Sequence, residues 1–149
     1  MYMIKTVHKG FTLIELIVTT AIIIVLAAGT MAFYGFFQNE EVLAAVKTEV
    51  VQNLRYQQER AKAGVDNTPH GAYFSTSSYT LYQGQNYASR NQAADIVHTL
   101  PAGFIFSGYP EVTFSVQQGL ATPAGILTIT KTNANTSVTL EINSAGLIY

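Results

Sequence analysis

The chain has 149 residues, 48% of them hydrophobic and 11% charged, no cysteine, and a formal charge of −1. That length holds one modest core plus an appendage rather than two domains. The absence of cysteine removes thiol nucleophiles, thiolate metal sites and disulfide staples, and a near-neutral charge lacks the basic footprint of a nucleic-acid-binding protein.

The first element is a polar leader, Met1 to Gly10, carrying Lys5, His8 and Lys9. Behind it, Phe11 to Phe37 contains one formally charged side chain, Glu15, and is long enough to be read as a membrane-spanning helix. An acid there costs on the order of 2.5–3.5 kcal/mol by insertion scales and therefore needs a partner. Cleavage after Gly10 would create one: the new amino group of Phe11 would lie at the helix start, within reach of Glu15 from a neighbouring chain. It would also remove Lys5 and Lys9, taking the side-chain charge from −1 to −3. While they remain, these lysines hold the amino-terminal end in the cytoplasm. An ordinary secretory signal has its small-residue cleavage site after the apolar core, whereas Gly10 precedes it.

The stretch Lys9-Gly10-Phe11-Thr12-Leu13-Ile14-Glu15-Leu16-Ile17 resembles the leader cleavage and methylation motif of type IV pilins and type II secretion pseudopilins. The resemblance implies a prepilin peptidase/methyltransferase that cuts on the cytoplasmic side after Gly10, methylates the Phe11 nitrogen and leaves the apolar helix on the mature subunit. It also implies an assembly role for Glu15, with other pilin or pseudopilin subunits, an inner-membrane assembly platform and membrane lipid as partners. The plain alternative is a single-span anchor with a chance Gly-Phe junction.

From Gln38 the composition turns polar while the helical period continues through Val42, Val46, Val50 and Leu54, with Leu43 and Val51 beside them, which marks one apolar stripe. Glu40, Lys47, Glu49, Asn53 and Arg60 occupy the opposite face. Gly64 and the cluster Asp66-Asn67-Thr68-Pro69 stop the helix. The spacing thus predicts a single helix of roughly fifty residues, about 75 Å long. It contains no proline, unlike many major type IV pilins, and Gly29 and Gly35 are its weak points, each costing up to about 1 kcal/mol relative to alanine or else allowing close helix packing in lipid.

From Gly71 the period becomes two. Ala72 to Ser75 and Tyr79 to Tyr82 read as a hairpin about the turn Ser75 to Ser78. Further short strands are predicted at Ile96 to Leu100, Phe104 to Phe106, Val112 to Val116, Ile126 to Thr130, Val138 to Ile142 and the closing Leu147 to Tyr149, with turns at Asn133 to Asn135 and Asn143 to Gly146. Such spacing implies one antiparallel sheet, whose apolar face needs the helix stripe as its cover. The expected fold is α+β: a long N-terminal helix, half membrane-borne and half amphipathic, packed on an antiparallel β-sheet. The expected divisions are a leader at 1–10, a transmembrane or filament-core helix at 11–37, an amphipathic helix half at 38–63 and a sheet-rich head at 64–149. This order of parts, with Gly71-Ala72-Tyr73-Phe74, Leu100-Pro101-Ala102-Gly103 and the closing Leu140 to Ile148, resembles the H-type minor pseudopilins, so a pilin-like fold is implied.

No catalytic constellation, metal-ligand spacing or phosphate loop is legible, and no cofactor is expected. His70 and His98 read as surface or strand-end residues, and Asp95 and Glu111 as solvated loop charges. The tyrosines Tyr73, Tyr79, Tyr82, Tyr87 and Tyr109 could stack on bases, but beyond Lys62 the cations are Arg90 and Lys131 alone, so strand packing is the better account and nucleic acid is not an expected partner. Relatives of the H type in natural competence bind DNA through basic residues near the carboxyl end, whereas Asn143 to Tyr149 has none. The sequence therefore suggests a structural subunit, not an enzyme. It would be held first in the cytoplasmic membrane with its body outside the cytoplasm, then in a periplasmic or extracellular filament. The rival reading is a minor pilin that captures DNA or a surface.

Overall fold

Helix α1 runs from Leu13 to Lys62 without a break. The computed structural model describes the backbone of residues 10–134 and 136–149, and their side chains except at 30–39. The leader, Asn135 of the expected turn, and the side chains of the apolar run beyond Gly29, with the helix weak point at residue 35, lie outside the described residues. The chain divides into two compact units, one ending at Gln38 and the other spanning Asn39–Tyr149.

In the second unit, α1 buries Leu43, Val46, Val50, Leu54 and Ala61, together with Gln57 and Gln58. The buried line follows the i, i+3, i+4 rule and runs through Leu43, Val46, Val50 and Leu54 as expected, with Val51 partly buried beside it. Val42 is 40% exposed, because at 100° per residue it falls off the stripe that Leu43 heads. Gly64 ends the helix in the left-handed region, with φ 66°, and its N–H donates to the Ala61 carbonyl at 3.0 Å.

Among the described residues eight strands follow: β1 His70–Phe74, β2 Ser78–Gln83, β3 Ile96–Thr99, β4 Phe104–Gly108, β5 Glu111–Phe114, β6 Ala121–Thr122, β7 Gly125–Lys131 and β8 Thr136–Ile142. All pairings are antiparallel. The single expected sheet is two: a five-stranded sheet in the order β3-β2-β1-β5-β6 and a three-stranded one in the order β4-β7-β8. Of the three connections that change sheet, the one between β4 and β5 does so within two residues. Tyr109 N–H still donates to Ile126 of β7, whereas the carbonyl of Pro110 accepts from Phe74 of β1; proline has no N–H with which to extend the first ladder. The two-residue strand β6 is too short to show a period, and Leu147 to Tyr149 forms a single bridge, Ile142 to Ile148, instead of a strand.

At the junction of the sheets Phe74, Tyr79 and Phe106 pack edge to face, with Phe74–Phe106 and Tyr79–Phe106 centroids at 5.3 and 5.9 Å. Contacts of this kind contribute about 0.5–1.5 kcal/mol each beyond area burial. Together with Leu54, Val112, Phe114, Leu127, Ile129 and Leu140 they form one core, and the helix stripe belongs to it.

Candidate functional site

The residues singled out by the sequence lie at the start of α1. Gly10 and Glu15 are exposed, and Phe11 is 86% exposed. Thr12 stands just before the first helical residue. Its hydroxyl accepts from Glu15 N–H at 3.3 Å, and its own N–H and hydroxyl donate to Glu15 Oε2 at 3.3 and 3.2 Å. This is a capping box, in which residue and cap satisfy each other's otherwise unpaired helix-end groups. The Thr-x-x-Glu spacing at 12–15 carries the signal for it, and the sequence reading passed over it in favour of an intermolecular partner for the acid.

One turn further on, Thr19 donates to the Glu15 carbonyl at 2.8 Å and Thr20 to the Leu16 carbonyl at 2.9 Å. Each threonine hydroxyl between Thr12 and Gly29 is therefore satisfied within the helix. Apart from Glu15, what this length of α1 turns outward is mainly apolar: Leu13, Ile14, Leu16, Ile22, Ile23, Ile24, Val25 and Leu26 are all between 53 and 77% exposed. Among the described residues no helix is long and apolar enough to cross a membrane. The described apolar side chains end at Gly29, and Leu13 to Gly29 rises about 25 Å against a hydrocarbon layer of about 30 Å.

The remaining candidates are drawn into the head. His70 is fully buried at the start of β1, with Nε2 3.2 Å from the Val65 carbonyl, so the surface placement is corrected while the strand-end one stands. Burial holds its pKa below the usual 6.5. His98 stacks on Tyr79 at 4.9 Å and lies 3.7 Å from Glu49. Tyr79 hydroxyl in turn accepts from Asn53 at 2.6 Å and donates to Glu49 at 3.3 Å. Glu49 and Asn53, expected on the solvent face of the helix, thus reach the sheet. Burial raises the Tyr79 and Tyr109 hydroxyls to about 12 and pushes Tyr82 up further.

Asp95 and Glu111 are not solvated loop charges. Asp95 accepts from Arg90 Nε at 2.8 Å, both side chains being about 15% exposed. Glu111 accepts from Tyr82 hydroxyl at 2.7 Å and from Tyr87 N–H at 2.6 Å. Arg90 lies 3.7 Å over the Tyr87 ring, which stacks on Tyr73 at 3.9 Å. The tyrosines and the one arginine of the head therefore pin the loop after β2 onto the sheet. Lys131 lies over Phe104 at 5.4 Å, and among the described residues no group of His, Asp and Glu could hold a metal ion.

Residues 5–31 match the family model described as the prokaryotic N-terminal methylation motif. The chain carries that motif, and the match supports a pilin-type subunit processed by a prepilin peptidase. No curated protein matches the chain, and no solved structure does.

Proposed function

We propose that this chain is a structural subunit of a type IV pilus or a type II secretion-like filament, most like the minor subunits of the H type. The observation that carries the reading is the start of α1. A helix that satisfies every described hydroxyl internally and, Glu15 apart, turns apolar side chains outward is suited to an apolar solvent, which is lipid before assembly and other subunits after it. By sequence the apolar run continues to Phe37, long enough to span the cytoplasmic membrane with the head outside the cytoplasm. Apolar surface stays covered in both states, so transfer from bilayer to filament need not expose it to water. The partners are a prepilin peptidase/methyltransferase, other subunits, an inner-membrane assembly platform and lipid.

Processing falls between Gly10 and Phe11, with Phe11 methylated on its new amino group. Mass spectrometry of membrane or filament protein should give a chain beginning at methylated Phe11, and Gly10→Val should accumulate precursor. A mature chain that retains Met1 to Lys9 would overturn the reading. The rival, capture of DNA by the head, has little support: Arg90 is spent on Asp95 and Tyr87, and binding duplex DNA through counterion release needs several cations on one face.

A further inference from the structure

Of the four edge strands among the described residues, β3, β6, β4 and β8, β3 and β8 turn backbone groups outward as follows. Tyr149 donates to and accepts from Glu141, at 3.0 and 3.4 Å, so the Glu141 backbone faces away from β7. By the alternation of an antiparallel ladder, Thr139 and Ser137 face the same way. On β3 the ladder to β2 is phased by Leu100, whose N–H donates to Ser77 at 2.9 Å. That assigns His98 and Ile96 to the β2 side and turns the backbones of Val97 and Thr99 outward. Each edge therefore offers two outward residues at a spacing of two. Neither strand contains the lysine or proline that commonly blunts an edge.

The edges lie on opposite flanks of α1. A groove of about 490 Å³, bordered by Glu40, Leu43, Ala44 and Lys47, separates the helix from Thr136 to Val138 of β8. Glu49 and Asn53, on the other flank, meet Tyr79 and His98. The geometry points to the β8 edge as the docking site for the β3 edge of a second copy of this chain, paired antiparallel with Val97 opposite Thr139 and Thr99 opposite Ser137.

In that register outer-face side chains stay outside, while His98 and Ile96 come beside Val138 and Leu140 on the helix side. Ile96 is 44% exposed, and the pairing covers it. Charge agrees with it: Glu49, 57% exposed beside His98, is carried toward the groove that Lys47 borders. Because the contact joins two different surfaces, it repeats from copy to copy instead of closing on a dimer. Strand addition of this kind draws affinity from main-chain hydrogen bonds and specificity from the flanking pockets. The inference takes its setting from the filament reading.

The chain has no cysteine of its own, so Val97→Cys with Thr139→Cys in the full chain, oxidised mildly in cells, tests the contact directly. The expected result is a ladder of dimers, trimers and longer species, with neither single substitution giving more than trace dimer. Adding Ser137→Pro, which deletes one outward donor and spares the bonds to β7, should abolish the ladder. Products that stop at dimer, or an equal ladder from Leu120→Cys with Thr139→Cys, would overturn it. Filaments sheared at undiminished yield without a ladder would overturn this contact and leave the filament reading standing. A ladder in membranes that never yield filaments would do the reverse.

Discussion

Glu15 is held by Thr12 of its own chain: the carboxylate accepts from the Thr12 N–H and hydroxyl while the Thr12 hydroxyl accepts from Glu15 N–H. The acid that the sequence leaves stranded in an apolar run is thus partnered before any second subunit arrives. Both of these bonds to the carboxylate go to Oε2 and come from neutral donors. A methylated amine on Phe11 of a neighbour, basic with an ordinary pKa near 7.7–8.0, would neutralise it in the assembled filament.

Assembly is accordingly the step expected to depend on the charge of Glu15. Glu15→Val and Glu15→Gln should both insert in the membrane and be cleaved, and both should lower incorporation into filaments by at least about tenfold, because an unpaired charge in an apolar interior costs several kcal/mol. Immunoblots of membrane and sheared-filament fractions measure this. Glu15→Gln subunits recovered from filaments at wild-type yield would contradict a role for the pair in setting register.

The unit Asn39–Tyr149 should fold alone, since the helix stripe and both sheets share one core. A fragment from residue 39 is expected to be monomeric at micromolar concentration, with mixed helix and strand by circular dichroism and a cooperative melt. Leu54, fully buried against the sheets, sets the scale: Leu54→Ala should cost about 2–5 kcal/mol in denaturant titrations of that fragment. An aggregated or non-cooperative fragment would show that the helix and head were divided in the wrong place.

Gln58 ties the helix to two loops, its Nε2 donating to the carbonyls of Gly119 and Gly146 at 2.9 and 2.8 Å. Gly146 has φ 79°, and a Cβ there would strike Gln58 Nε2 and the Gly119 carbonyl. Gln58→Ala and Gly146→Ala should each destabilise the fragment by about 1–3 kcal/mol, through unpaired buried groups and through backbone strain respectively. In a double-mutant cycle the pair should cost less than the sum, since Gln58→Ala vacates the space that the new methyl group needs. Strict additivity would argue that the two residues act independently.

Acid sensitivity should come from His70. Its folded pKa lies below the unfolded value of 6.5, first because of burial and then because of Arg60, against raising contributions from the Val65 carbonyl and Asp66. The unfolded chain therefore binds the proton first. Stability is fully present above about pH 6.5 and falls as pH drops through that value toward the folded pKa. The fragment should melt lower at pH 5.5 than at pH 7.5, and His70→Leu should flatten that interval even if it lowers both melting points. An unchanged slope in the variant would assign the effect elsewhere.

The start of α1 was legible in the sequence because its signals are local. Gly10 before an apolar run, one acid in that run, and Gly64 as a stop are each read within a few residues of chain, and the helix ends at Lys62 accordingly. The hairpin from Ala72 to Tyr82 was equally plain, its two strands being neighbours. Three things depended on the tertiary fold. Only the tertiary fold splits the strands between two sheets, the chain crossing after β3, at Tyr109 and Pro110 after β4, and again after β6, since period two reports which face a residue occupies and not which ladder it joins. Only packing decides that Asp95 meets Arg90 and that Glu111 meets Tyr82, because such pairs are brought together across loops and strands. Only strand order puts β3 and β8 among the four edge strands of the described residues, on opposite flanks of the helix, a property of neighbours absent from either strand's own residues.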